Sequence, residues 1–332
     1  MNGVDAAVKP GTVFGSLGGV YAVRLDSGES REASLRGRLK QEARTGDRIV
    51  IGDRVEVTDL PDGSATIEKV LERRTQLVRR GPGGRKPKVV AANVDRLVVV
   101  AAAVRPEPRQ ILLDRLFVIG EANGLELALV MNKIDLVPEV GRGVGGGPES
   151  EASSTAGDSG AEHERLLALY RQIGYTALET SAVTGAGVQE LADLLSAGTS
   201  ALVGPSGVGK STLLNAIQPD LGLKTGELSH KEGRGRHTTV SARLIPLECG
   251  GLVADTPGFS DVGVWGVDQR DLEECFPEFH PWREECQFRG CTHLHEPNCG
   301  VQAALSRGAI QEGRFGSYRS LVQEAKGAPQ GS

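Results

Sequence analysis

The stretch Gly204-Pro205-Ser206-Gly207-Val208-Gly209-Lys210-Ser211 lies between an apolar run, Ala201-Leu202-Val203, and a helical one, Thr212–Ile217. A glycine-rich turn ending in Lys-Ser, entered from a strand and left by a helix, is the P-loop pattern. The glycines let the backbone curl so that several N–H groups converge on phosphate oxygens. The helix behind them directs its positive end at the same anion. Lys210 is expected to reach the β- and γ-phosphates, Ser211 to ligate Mg2+, and Thr212 to complete the binding set.

The surrounding text agrees with an α/β domain. Leu97–Ala103 is a continuous apolar run, as in a strand buried on both faces. Gln110–Asn123 spaces Ile111, Leu112, Leu116 and Ile119 as an amphipathic helix would. Leu125–Met131 reads as the next strand, and strand and helix signals alternate to about residue 255, which predicts a mostly parallel sheet. Asp255-Thr256-Pro257-Gly258 follows the apolar run Leu252-Val253-Ala254. An aspartate at the end of a buried strand is where a P-loop enzyme holds Mg2+, usually through water, so Asp255 is the second expected magnesium residue. Gly258 can bring its backbone N–H close to a γ-phosphate.

Two further loops concern the base. Asn132-Lys133-Ile134-Asp135 follows the strand Leu125–Met131, and Thr180-Ser181-Ala182 follows the strand-like Tyr175–Glu179. Guanine presents an N1–H and an exocyclic amino group side by side, and one carboxylate can accept from both, so Asp135 is the expected discriminator. Asn132 would bond the base edge or tie loops together, the Lys133 stem would cover the ring, and the Ser181-Ala182 backbone could contact the guanine oxygen. The order is unusual. In most GTPases the P-loop comes first; here the base loops precede it and Asp255 comes last. A parallel sheet tolerates such a circular permutation if the original termini lay close together.

Outside this domain the sequence changes character. Residues 11–72 hold short β-type runs, Thr12–Leu17, Val20–Leu25, Glu32–Leu35, Arg54–Asp59 and Thr66–Leu71, separated by turn residues. About five short strands in this span suggest a small closed barrel, with an OB-fold the natural candidate. Residues 79–88 are basic and rich in Gly and Pro, as in a mobile linker. Pro138–Gly160, rich in Gly, Ser, Glu and Ala, has too few large apolar residues to order itself and reads as a disordered insertion. The net charge of −5 conceals an asymmetry: residues 1–90 carry 17 Lys+Arg against 12 Asp+Glu, a balance of +5. A basic N-terminal module is compatible with a phosphate-backbone partner. No apolar stretch approaches the ~18–20 residues of a membrane span, and the N-terminus lacks the apolar run of a secretory signal. A cytoplasmic location without a membrane partner is the expectation.

Of the five cysteines, four crowd between Cys275 and Cys299. Cys286, Cys291, His293 and Cys299 offer three thiolates and one imidazole, a closed tetrahedral set suited to one structural Zn2+. Cys275, beside Phe276, is expected to be a core thiol, and His295 is a poorer ligand choice than His293.

The permuted motifs, the β-rich module with Gly52-Asp53-Arg54-Val55 and the terminal Cys/His run together resemble the RsgA (YjeQ) family of circularly permuted GTPases, over nearly the whole chain. The resemblance implies three modules: an OB-fold RNA-binding barrel at 1–75, a permuted P-loop GTPase domain at 76–262 and a mainly α zinc-binding module at 263–332. It implies GTP and GDP with Mg2+ as ligands, the small ribosomal subunit and its rRNA as partner, a role in subunit assembly, and action as a monomer. Gly233-Arg234-Gly235-Arg236-His237-Thr238-Thr239 resembles the family's first switch, in which either Thr238 or Thr239 would ligate Mg2+. His237 is either the water-positioning residue or a structural or RNA-facing loop residue. Phe259 is the candidate for the apolar residue that the family carries where Ras-like enzymes place a water-orienting Gln. Slow intrinsic hydrolysis, raised by the partner, follows from that absence. A P-loop ATPase or kinase, and an RNA-binding protein with a vestigial nucleotide site, are the rival readings.

Overall fold

A computed structural model describes residues 7–37, 48–79, 88–138, 156–223, 242–256 and 271–327. The first five strands are β1 (Lys9–Leu17), β2 (Val20–Leu25), β3 (Ser30–Leu35), β4 (Arg54–Asp59) and β5 (Ala65–Val70). They pair in the order 1-2-3-5-4, and β1 also pairs with β4, which closes the barrel. Strict alternation explains its core: Tyr21, Val23 and Leu25 point inward from β2, and Val55 and Val57 from β4. Bulges in β1, between Val13 and Gly15, and in β5, between Ile67 and Lys69, bend the strands enough to close. The order is that of an OB-fold, as expected.

The second unit is a sheet of six strands, all but one parallel: β8 (Arg96–Ala102), β9 (Glu126–Asn132), β10 (Thr176–Glu179), β11 (Thr199–Val203), β12 (Arg243–Pro246) and β13 (Leu252–Asp255). Their spatial order is 10-9-8-11-13-12, with β12 antiparallel at one edge. Helices α1 (Gln110–Ala122), α2 (Ala156–Ile173), α3 (Val188–Leu195) and α4 (Lys210–Ile217) cover the two faces. The unbroken apolar run of β8 serves both. Leu97, Val99 and Ala101 pack with Leu113 and Phe117 of α1 and Leu166 and Tyr170 of α2. Val98, Val100 and Ala102 pack with Leu191 and Leu195 of α3 and Leu213 and Leu214 of α4. A single register pair, Gly15 with Arg243, joins the barrel to the sheet's β12 edge.

Two differences from the sequence reading concern apparent connections. The ends of the basic stretch are strands: β6 (Gln76–Arg79) pairs antiparallel with β7 (Lys88–Ala92). Composition concealed them because the Gly, Pro and Lys residues of the intervening stretch masked the short apolar runs at its ends. Helix α2 begins at Ala156, inside the stretch read as an insertion, because its backbone continues a helix whose apolar face starts only later, at Leu166. Residues 139–155 lie outside the described part.

The last unit is mainly helical, with α5 (His280–Arg283), α6 (Gly300–Ser306) and α7 (Glu312–Gly327) joined by 3-10 turns. Its core is Leu272, Cys275, Phe276, Phe279, Phe315 and Tyr318, together with Val118 from α1. It is fastened to the central domain by a buried polar cluster. Arg314, fully buried, donates through Nε and Nη2 to both oxygens of Glu278 at 2.5 and 3.1 Å, and through Nη1 to Asp114 Oδ1 at 2.6 Å. The Tyr170 hydroxyl donates to the same Oδ1 at 2.5 Å, and burial pushes its pKa up, so it remains a donor. Among the described residues no helix is long and apolar enough to cross a membrane.

Candidate functional site

The strands β8, β9, β10, β11 and β13 are parallel, so their carboxyl ends share one edge of the sheet. That edge is where open α/β folds bind ligands. The turn after β11 is the P-loop, Asp255 ends β13, Asn132 ends β9, and Thr180-Ser181 follow β10. Motifs distant in sequence are thus brought together by strand order alone.

The P-loop glycines answer to close neighbours. Gly204 has φ +145°, and a Cβ there would lie 2.0 Å from the Val100 carbonyl oxygen. Gly209, the residue before α4, has φ +98°, and a Cβ would meet Asn132 Nδ2 at 2.4 Å. Lys210 folds over the loop, its Nζ donating to the carbonyls of Gly204 at 2.7 Å and Pro205 at 3.1 Å. Ser211 and Thr212 stand in the first turn of α4, half-buried.

Asn132 performs the second of its two anticipated tasks, tying loops together. Its Nδ2 donates to the Val208 carbonyl at 2.9 Å, and its Oδ1 accepts from Thr180 Oγ1 at 3.3 Å and the Ala182 N–H at 3.4 Å. One buried amide therefore joins P-loop and both base loops. Ser181 Oγ donates to Asp135 Oδ1 at 2.6 Å, which orients a carboxylate that is otherwise exposed. Lys133 adopts φ +65° and extends its Nζ to the Arg105 carbonyl at 2.6 Å. Asp255, on the last position of β13, accepts from Arg243 Nε at 3.3 Å across the β12 pairing. Thr180 was named as the first residue of its loop, but not its side-chain bond to Asn132; Arg105 and Arg243 were not anticipated, and no local pattern marks them. His237, Thr238, Thr239, Gly258 and Phe259 lie outside the described residues.

The second constellation is Cys286, Cys291, His293 and Cys299, whose ligand atoms all lie within 4.8 Å of one another. Cys286 Sγ is 3.8 Å from Cys299 Sγ and 3.6 Å from His293 Nδ1, which is 3.3 Å from Cys299 Sγ. A tetrahedron with Zn–S near 2.3 Å and Zn–N near 2.05 Å has S···S edges of about 3.8 Å and N···S edges of about 3.5 Å. The donor set therefore has the size of a zinc site. Burial pushes the Cys291 thiol up to about 12, and that of Cys299 up as well, so a cation is needed to hold them as thiolates. Cys275 is outside the cluster: it is buried, its Sγ donates to the Asp271 carbonyl at 3.4 Å, and burial raises its pKa to about 12. His295 is exposed and equally uninvolved. Four such ligands would close the coordination sphere of a bound ion, as in structural rather than catalytic sites.

Comparison with known proteins agrees with this arrangement. Residues 70–265 match the RsgA GTPase family. The chain is 42% identical over 320 residues to a small ribosomal subunit biogenesis GTPase RsgA of Gemmatimonas aurantiaca, covering 96% of this chain and 97% of the relative. A protein of the same description from Moorella thermoacetica is 40% identical, with 95% and 96% covered. Among solved structures, YjeQ from Thermotoga maritima superposes with a TM-score of 0.78 at 33% identity, over 97% of this chain and 99% of that one. YloQ, described as a circularly permuted GTPase, superposes with a TM-score of 0.73 at 28% identity over the whole of both chains.

Proposed function

The chain belongs to the RsgA GTPase family, and on that premise we propose that it binds and slowly hydrolyses GTP as a maturation factor of the small ribosomal subunit. The observation that carries the nucleotide reading is the bond from Asn132 to the Val208 carbonyl, which fixes the base loops against the P-loop. A nucleotide with its phosphates on the loop formed by Gly204, Pro205, Ser206, Gly207, Val208 and Gly209 would have its base over Lys133 and against Asp135. Mg2+ bound at Ser211 and Asp255 would screen the phosphate charge. Lys210 would leave the Gly204 and Pro205 carbonyls for the β- and γ-phosphates, a stronger, charge-assisted contact.

Thr238 or Thr239 as a further magnesium ligand, Gly258 at the γ-phosphate and His237 at the water rest on the motifs alone. One structural Zn2+ at Cys286, Cys291, His293 and Cys299 would add folding energy to a small module whose described residues form no strand ladder. We take the modules as 1–75, 76–262 and 263–332, acting as a cytoplasmic monomer. The partner is rRNA of the small subunit: the names of the relatives support this, and the basic N-terminal module accords with it.

The test is phosphate release from GTP and from ATP, with and without purified small subunits, using Lys210→Ala as the blank. Slow turnover of GTP alone, raised severalfold or more by subunits, is expected. Equal turnover of ATP would overturn the guanine assignment, and indifference to subunits would overturn the ribosomal one.

A further inference from the structure

The metal cluster has one neighbour that no motif includes. Glu273 opens the 3-10 turn Glu273–Cys275, well ahead of the first cysteine ligand in sequence. Its Oε2 lies 2.9 Å from His293 Nε2, while Nδ1 of the same ring faces Cys286 and Cys299. The imidazole itself is buried, with 1% exposure. An imidazole cannot offer a lone pair on both nitrogens and also donate, so the partner on one nitrogen decides what the other can do. A carboxylate at Nε2 is satisfied only if Nε2 carries the proton, and that tautomer presents an unprotonated Nδ1 to the three sulfurs.

We propose that Glu273 is the outer-shell carboxylate of the metal centre: it accepts the Nε2–H of His293, selects Nδ1 as the ligand and strengthens it. This rests on reading the cluster as a zinc site. The neighbouring contacts hold the carboxylate in place for this role. Arg283 Nη1 stands 3.9 Å from Glu273 Oε1, which steers the other oxygen toward the ring. Gln302 Nε2 donates to the His293 carbonyl at 3.0 Å, and the Tyr318 hydroxyl to the Thr292 carbonyl at 3.0 Å, so the backbone that carries the ring is held from the other side.

The consequence reaches beyond affinity. Glu273 sits on a 3-10 turn of the C-terminal module, and the residues after it, Cys275, Phe276 and Phe279, fill that module's core. Metal binding and docking of this turn are then one event, since the hydrogen bond is strongest when the ring is metallated.

The experiment uses the full-length protein and zinc itself, with a chromogenic chelator as competitor. Wild type is expected to hold one equivalent. Glu273→Ala is expected to lower zinc affinity by about 10–100-fold, the usual range for loss of such a partner. Glu273→Gln keeps an accepting oxygen without the charge and should fall between the two. Glu274→Gln, a neighbour that pairs with Arg283 rather than His293, should match wild type. Nitrogen NMR of the histidine ring should show a protonated Nε2 and a metallated Nδ1 in both wild type and Glu273→Gln, a readout that survives even if the alanine variant fails to fold. Metal on Nε2, or a Glu273→Ala affinity within twofold of wild type, overturns the proposal. Absence of bound zinc from wild type would instead overturn the reading of the cluster on which it rests.

Discussion

The N-terminal barrel and the C-terminal module are of similar size, yet they are held together by different physics. The barrel distributes its stability: alternating side chains such as Val13, Val23, Val55, Val57 and Ile67 bury a common core, and every strand has two partners. Its charged contacts lie toward the outside, as with Arg54 bonded to both oxygens of Asp26. Asp53 is the exception, buried and held by Arg73 Nε at 2.7 Å and the Val50 N–H at 2.8 Å. Among its described residues the C-terminal module has two short helices, the long helix α7 and 3-10 turns instead of ladders. It packs a core at least as large as the barrel's, including Phe276, Phe279, Phe315, Tyr318 and Leu321, and adds to it two polar devices: the Cys/His cluster and the buried Arg314 guanidinium. A small unit can rest on ladders and a packed core alone or add a few strong polar contacts, and the second solution then depends on each of them.

The largest expected effect is that of removing the zinc proposed for the Cys286, Cys291, His293 and Cys299 cluster. Apparent binding energy for a structural zinc is on the order of 10 kcal/mol. Chelation should therefore melt the packing of Phe276, Phe279, Phe315 and Tyr318 while β1–β5 keep their hydrogen-exchange protection. Equal loss of protection in the barrel would break the contrast. Next is Arg314→Ala, which leaves Asp114 and Glu278 without their buried counter-charge and should cost about 3–5 kcal/mol. Denaturant unfolding followed at Trp282 would measure it; a cost below about 1 kcal/mol would mean that the cluster is not what fastens the module to α1. In the barrel, Ile67→Val removes one methylene from a site of no exposure and should cost only about 0.5–1.5 kcal/mol. The smallest effect belongs to Arg54→Ala. Its ion pair is half in solvent, and such pairs are worth about 0.2–1 kcal/mol, less at high salt. A larger, salt-independent loss would show that the barrel too depends on single contacts.

Legibility in the sequence follows the same division. The barrel strands emerge within a few residues of their expected ends because alternation is a local signal and turn residues mark each boundary. The strands β8, β9, β11 and β13 emerge similarly, as apolar runs. The β6–β7 hairpin and the β12 edge were missed: each is short, and each depends on a partner that local composition does not reveal. In the candidate nucleotide site, Asn132, Asp135, Lys210 and Asp255 stand out in the sequence because each belongs to a tight motif. Arg243 beside Asp255, and the Arg105 carbonyl that receives Lys133, come from other elements and had no signal. The Cys286, Cys291, His293 and Cys299 cluster was legible from spacing, whereas its neighbour Glu273 was not, since it lies in a turn of ordinary composition.

What the sequence by itself supplied is the candidate chemistry: a P-loop pattern, a carboxylate expected at guanine, an aspartate expected at magnesium and a Cys/His set with zinc spacing, in an order that implies permutation. These are short-range patterns, read from neighbours along the chain. What only the tertiary structure decided is which of these groups meet. Strand order 10-9-8-11-13-12 brings Asn132 to the Val208 carbonyl, packing of α7 on α1 brings Arg314 to Asp114, and the 3-10 turn Glu273–Cys275 brings Glu273 to His293. Those contacts join residues far apart along the chain, and their geometry is set by the burial of whole faces of sheet and helix, which no local spacing encodes.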